Sequence, residues 1–214
     1  RTSYRYDPLT FRLAELLTRS EAADRLQNLH YTYDPSGNIT HIRDDAQQAV
    51  FFRNKCVEPS SDYTYDALYR LIQATGREHL GQGGGSIAYA PDDSARLGRG
   101  SADSAGHLAP DDGNAMGRYV ERYVYDAVGN FLKMQHRGGD RAKPGWTRRY
   151  DYQEASLIED GTDGTQLKTN NRLTRSMLES GSDSPRAEAY LYDAHGNFVR
   201  MPHLGVVAPG PNIH

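Results

Sequence analysis

The stretch Tyr31-Thr32-Tyr33-Asp34-Pro35-Ser36-Gly37-Asn38-Ile39-Thr40-His41-Ile42 decides the fold. Side chains alternate along a strand, so Tyr31 and Tyr33 share a face. Asp34 is placed to hydrogen-bond forward onto the turn backbone and Pro35 presets its φ. Gly37 accepts the positive φ that ends a type I turn with a bulge. The β-branched run that follows reads as a returning strand. One stretch is thus one hairpin.

The hairpin recurs. Tyr-x-Tyr pairs begin at Tyr4, Tyr31, Tyr63, Tyr123, Tyr150 and Tyr190, with second tyrosines at Tyr6, Tyr33, Tyr65, Tyr125, Tyr152 and Tyr192. All but the fifth are followed by aspartate: Asp7, Asp34, Asp66, Asp126 and Asp193. Gly129 and Gly196 stand where Gly37 does, whereas the third unit has Ala67-Leu68-Tyr69-Arg70 and no glycine. The spacings of 27, 32, 60, 27 and 40 residues suit a short repeated unit with insertions. "NNRLTRS" from Asn170 reads as an eroded copy. The expected fold is all-β, with antiparallel hairpins joined into one sheet. A helix over "FRLAELLTRSEAADRLQNL" is the alternative for residues 11–29, but its place directly after Tyr6-Asp7-Pro8 favours strand.

Three regions follow: repeat hairpins over 1–80, an irregular insertion rich in Gly, Ala, Ser and Asp over 81–117, and further hairpins over 118–214. The first residues, "RTSYRYDPLT", begin inside a repeat with neither Met nor a signal-peptide profile. They read as an excerpt of a longer chain.

Composition agrees with a sheet that has no thick centre. Only 37% of residues are hydrophobic, mean hydropathy is -0.78, and 15 Tyr outnumber 5 Phe and 1 Trp. Tyrosine suits a surface that buries a ring and keeps its hydroxyl near a polar partner. A net charge of -3 points to neither nucleic acid nor an anionic membrane. No apolar run is long enough to span a membrane as a helix. The single cysteine, Cys56, excludes an internal disulfide and a cysteine-built zinc site.

Candidate chemistry is thin. Adjacent acids at Asp44-Asp45, Asp92-Asp93 and Asp111-Asp112 point apart if extended and read as turn residues. "EDGTDGT" from Glu159 lacks the ligand spacing of a calcium loop, and "GQGGGS" from Gly81 lacks the Lys-Ser/Thr of a phosphate loop. His41, His136 and His203 have no shared metal spacing. Cys56 has no adjacent partner that would mark a nucleophile and reads as structural. Arg137, Arg141, Lys143, Arg148 and Arg149, beside Trp146 and Tyr150, read as a solvated connector rather than a phosphate grip. No catalytic residue, cofactor or metal is expected.

The Tyr-x-Tyr-Asp-x-x-Gly-Asn units resemble the YD repeats of Rhs-type proteins, a group that includes the C components of bacterial insecticidal toxin complexes, polymorphic toxins and animal teneurins. The resemblance covers nearly the whole chain outside 81–117. It implies a spiral of β-hairpins wound into a hollow shell that encloses a toxic C-terminal effector in a secreted or injected protein. Tyrosines stacked from one hairpin to the next would brace the wall. The partners implied are the remaining shell, its enclosed toxin domain and other toxin-complex subunits. No stretch matches the family's self-cleavage segment. The alternative within the family is a carbohydrate- or cell-surface-binding repeat module.

Overall fold

The computed structural model describes residues 1–80, 113–139, 145–156, 158–159, 164, 167–180, 184–193 and 195–200. These residues form strands and turns without a helix. The strands are β1 (Thr2–Tyr6), β2 (Leu13–Arg19), β3 (Arg25–Tyr33), β4 (Ile39–Asp44), β5 (Val50–Phe52), β6 (Lys55–Val57), β7 (Ser60–Tyr65) and β8 (Leu71–His79). They continue with β9 (Met116–Tyr125), β10 (Phe131–Gly138), β11 (Trp146–Asp151), β12 (Arg175–Ser180), β13 (Arg186–Ala189), β14 (Leu191–Tyr192) and β15 (Phe198–Arg200).

Eleven of them form one antiparallel meander in the order β1-β2-β3-β4-β7-β8-β9-β10-β11-β12-β13, while β5-β6 and β14-β15 are separate two-stranded hairpins. The apolar run from Phe11 is strand β2 followed by β3, not a helix. Strand β9 opens at Met116, inside the stretch read as insertion; residues 81–112 lie outside the described residues. The segment from Asn170 is not a repeat copy of its own. Its strand β12 pairs with β11, with Asp151 opposite Arg175, so it is the returning half of the Tyr150 unit.

The register slips by one residue beside the second tyrosine of five units. It does so at Arg5/Tyr6, Thr32/Tyr33 and Thr64/Tyr65, at Leu191/Tyr192, and on the returning strand between Phe131 and Lys133 opposite Tyr125. In each case one residue of the returning strand is skipped, which is a β-bulge that sharpens the local twist.

Pairing sorts the sheet into two faces. Tyr4, Leu16, Leu29, Tyr31, Ile42, Tyr63, Ala74, Glu121, His136 and Trp146 lie on one. His30, Arg43, His41, Asp62, Thr75 and Val120 lie on the other. Among the described residues the separate β5-β6 hairpin packs against β9 of this sheet. The buried apolar residues are Val57, Ala74, Leu80, Ala115 and Leu178. Three of these, Val57, Leu80 and Ala115, belong to the corner where β5-β6 approaches the start of β9. There a side chain on Gly117 would meet Leu80 Cδ2 at 2.6 Å.

Candidate functional site at the hairpin junctions

Each Tyr-Asp turn is closed by its aspartate. Asp34 Oδ1 accepts from the backbone N–H of Gly37 at 2.7 Å and of Asn38 at 2.9 Å, and Asn38 Nδ2 donates to Oδ2 at 2.8 Å. Asn130 and Asn197 repeat this side-chain bond to Asp126 and Asp193 at 2.8 and 2.9 Å. Gly37, Gly129 and Gly196 all have positive φ, of 104, 100 and 87°. In the third unit Tyr69 takes that role at φ 62°, and in the first, one residue longer, Phe11 does so at φ 57°. Asp7 there accepts from the N–H groups of Leu9 and Thr10.

These donors set the acidity of the turns. The Asn38 and Asn197 amides hold Asp34 and Asp193 below the usual carboxylate range, the Arg70 N–H does so for Asp66, and the Thr10 N–H for Asp7. At Asp126 desolvation pulls upward but the Asn130 donors outweigh it.

In four units the second tyrosine ties its hairpin to the one before. Tyr33 Oη donates to Leu13 O at 2.8 Å, Tyr65 to Ile39 O at 2.8 Å, Tyr125 to Leu71 O at 2.8 Å and Tyr192 to Leu173 O at 3.0 Å. The acceptor is always the residue just past the turn. Burial pushes the phenols of Tyr65, Tyr125 and Tyr192 up, which keeps them protonated as donors.

The residue leading into the returning strand alternates along the chain: Arg12, Asn38, Arg70, Asn130, Arg172, Asn197; all but Arg172 follow a positive-φ position. Asparagine closes its own turn. Arginine reaches forward: Arg12 donates to Asp34 O at 2.8 Å and Pro35 O at 3.0 Å, and Arg70 to Asp126 O at 2.9 Å. Arg12, Arg70 and Arg172 also lie over the rings of Tyr33, Tyr125 and Tyr192, at 5.5, 5.0 and 5.5 Å. Hairpins are therefore braced in pairs by a cation and linked at four junctions by phenol hydroxyls.

The expected stacking of tyrosine on tyrosine is not the device. Among the described residues the ring partners of these tyrosines are Phe131, beside Tyr123, Tyr125 and Tyr150, and Phe198, beside Tyr190 and Tyr192. A second tyrosine turned toward its hydroxyl acceptor has its ring fixed by that bond. Tyr31 and Tyr63 are half-buried on their face, whereas Tyr4 and Tyr6 on the edge strand are exposed. At the junction where the fifth unit lacks its aspartate, a cleft of about 320 Å³ opens between Asp126, Asn130, Tyr150, Tyr152 and Asn171.

The other sequence candidates disperse. Asp44 caps backbone N–H groups of Asn28 and Ala46, while Asp45 pairs with Arg43 at 2.6 Å. His41 pairs with Asp62 at 2.7 Å. Glu159 pairs with Lys168 at 2.7 Å. Cys56, read as structural, is exposed on β6, at the edge of a cavity of about 440 Å³ that Phe52, Leu80 and Arg118 also line. The basic run is strand rather than connector at its end: Arg148 pairs with Glu188 and Arg149 with Glu179, one on each face of β11. No group of three metal-ligating side chains occurs among the described residues. Asp92-Asp93, Asp111-Asp112, Arg141, Lys143, His203 and the Gly81 stretch lie outside them.

Sequence reasoning missed His136 as a centre. Its Nδ1 lies 3.1 Å from Glu121 Oε1 and its Nε2 3.0 Å from Glu78 Oε2. Its ring stacks on Tyr119 at 5.1 Å and on Trp146 at 5.6 Å. Glu78, Tyr119, Glu121 and Trp146 are far from it in sequence; only strand register brings them together.

No family model matches the chain. Toxin subunit YenC1 of Yersinia entomophaga is 37% identical over 140 residues, 63% of this chain and 13% of that protein. Toxin subunit YenC2 of the same organism is 28% identical over 203 residues, 92% of this chain and 18% of that protein. The chain thus spans less than a fifth of the length of either relative. Among solved structures, TcdB2-TccC3 matches with a TM-score of 0.52 at 29% identity, and the Photorhabdus luminescens Tc holotoxin pore with 0.51 at 28%. Each match covers 92% of this chain and 10% of the other. Repeat, sheet and sequence all point one way: the chain carries Rhs/YD-type repeats and is similar to toxin-complex subunits of the YenC and TccC3 kind.

Proposed function

We propose that the chain is a stretch of wall in a Rhs/YD-repeat shell that encloses and carries a toxic C-terminal effector within a secreted or injected bacterial toxin. The observation that carries this reading is the link, repeated in four units, from the second tyrosine to the hairpin before it. Such links turn separate hairpins into one strip, and a strip with few buried apolar residues suits a wall better than a globular centre. Its partners on this reading are the rest of the wall, the enclosed segment and other toxin-complex subunits, as in the TcdB2-TccC3 assemblies named for its neighbours. It performs no catalysis of its own.

The alternative, a carbohydrate- or cell-surface-binding module, needs tyrosine faces free for a ligand. The second tyrosines of four units are instead engaged by carbonyls of the preceding hairpin, which favours bracing.

The test is limited proteolysis of the product of the complete gene. Survival of its C-terminal segment inside an intact repeat region, and its rapid cleavage once produced without that region, is the expected result. Equal cleavage in both forms rules the enclosing role out.

A further inference from the structure

His136 sits on β10 in a box built from three other strands. Glu78 comes from β8, Glu121 and Tyr119 from β9, and Trp146 from β11. Carboxylates only accept, so an imidazole bonded through both nitrogens to two of them must carry both protons. The resulting cation is sandwiched by rings, and that of Trp146 is nearly parallel to it at 7°. Tyr123 donates to the second oxygen of Glu121 and so orients that carboxylate. The His136, Glu78 and Glu121 side chains are only 14, 16 and 19% exposed, so water does little to screen the three charges. The remaining charged group on this face of the flanking strand, Arg148, is paired with Glu188, and Tyr63 completes the surroundings from β7.

We propose that this box is an alkali-sensitive clasp: it holds β8, β9, β10 and β11 together while the imidazole is doubly protonated, and loosens the ends of β8 and β9 when that proton is withdrawn. Loss of the proton leaves one carboxylate facing a ring nitrogen lone pair, so an attraction becomes a repulsion at the junction of the third and fourth units. Bonds to Glu121 and Glu78 push the His136 pKa from 6.5 up to about 9, which puts release in alkaline solution. The inference stands on the fold alone and is independent of the enclosing role.

The test uses the 214-residue chain, in which Trp146 is the single tryptophan. A protonated imidazole quenches an indole stacked on it, so Trp146 emission is expected to rise on alkaline titration with a midpoint near 9. Amide protection at Glu78 and Tyr119, corrected for intrinsic exchange, is expected to fall at least roughly tenfold more between about pH 7 and about pH 10 than at Thr32. Glu78→Gln removes one of the two charges and moves the emission midpoint down toward 6.5. A midpoint already near 6.5 in the unsubstituted chain overturns the clasp, as does a change in emission with protection unaltered.

Discussion

The hydroxyl of Tyr125 donates to the carbonyl oxygen of Leu71 across 2.8 Å, joining two hairpins 54 residues apart in sequence. Tyr33, Tyr65 and Tyr192 make the same bond to Leu13, Ile39 and Leu173. A motif that looks like a local turn signature is therefore also a long-range fastener.

Tyr125→Phe keeps the ring beside Phe131 and removes only the hydroxyl. The expected loss is about 1 kcal/mol, because the Leu71 carbonyl forfeits its donor in a half-buried setting. Tyr4→Phe, at an exposed ring on the edge strand, is expected to change stability by less than about 0.5 kcal/mol. Urea unfolding of the two variants checks the difference; equal losses count against the fastener.

Arg70 serves its own turn and the next, donating to Asp66 Oδ2 at 2.7 Å and to Asp126 O at 2.9 Å. Arg70→Ala is expected to cost about 1 kcal/mol, the side chain being partly solvent-screened. Arg70→Asn should recover part of that loss, since asparagine at this position closes its own turn elsewhere, but not the reach to Asp126. A double-mutant cycle with Tyr125→Leu, which removes the ring under the Arg70 guanidinium, reads that forward contact directly: coupling is expected for Ala and Asn alike.

Positive φ can be tested from both directions. Gly129 has φ 100° and nothing within 4 Å of an added Cβ, so Gly129→Ala isolates the backbone cost, about 1 kcal/mol of destabilisation. Tyr69, at φ 62°, meets the same requirement with a side chain. Tyr69→Gly is expected to be neutral or stabilising by up to about 1 kcal/mol. Thermal unfolding in which Tyr69→Gly destabilises as much as Gly129→Ala would falsify this account.

Stability should peak in mildly acidic solution. His136 is raised, so its contribution is complete below the ordinary 6.5, declines above it, and is gone once pH passes about 9. Glu121 is lowered, chiefly by its bond to His136, so its contribution is present above the ordinary 4.5 and is lost as pH falls through its depressed value. The turn aspartates Asp7, Asp34, Asp66, Asp126 and Asp193 share that acid limb. The best window is thus about pH 4.5 to about pH 6.5. Denaturant midpoints across pH check it, and His136→Gln is expected to flatten the alkaline limb and to remove the Glu121 share of the acid limb, leaving the share of the turn aspartates.

What could be read from the residues was whatever the chain settles within one hairpin. Tyr31-x-Tyr33 shares a face because strands alternate, and Asp34 and Gly37 form a turn because one supplies acceptors and the other a positive φ. Repetition of that unit then implied a continuous antiparallel sheet. Tertiary structure decided everything that depends on which carbonyl or charge a neighbouring hairpin presents. It turned the tyrosines from a stack of rings into a row of hydroxyl links, and divided Arg12 and Arg70 from Asn38 and Asn130 by the turn each one serves. It also placed His136 between Glu78 and Glu121, and merged Asn170 with the Tyr150 unit. The physical reason is register: hydrogen bonds and ion pairs act over about 3 Å, and partners separated by tens of residues come within that range only when every strand between them is aligned.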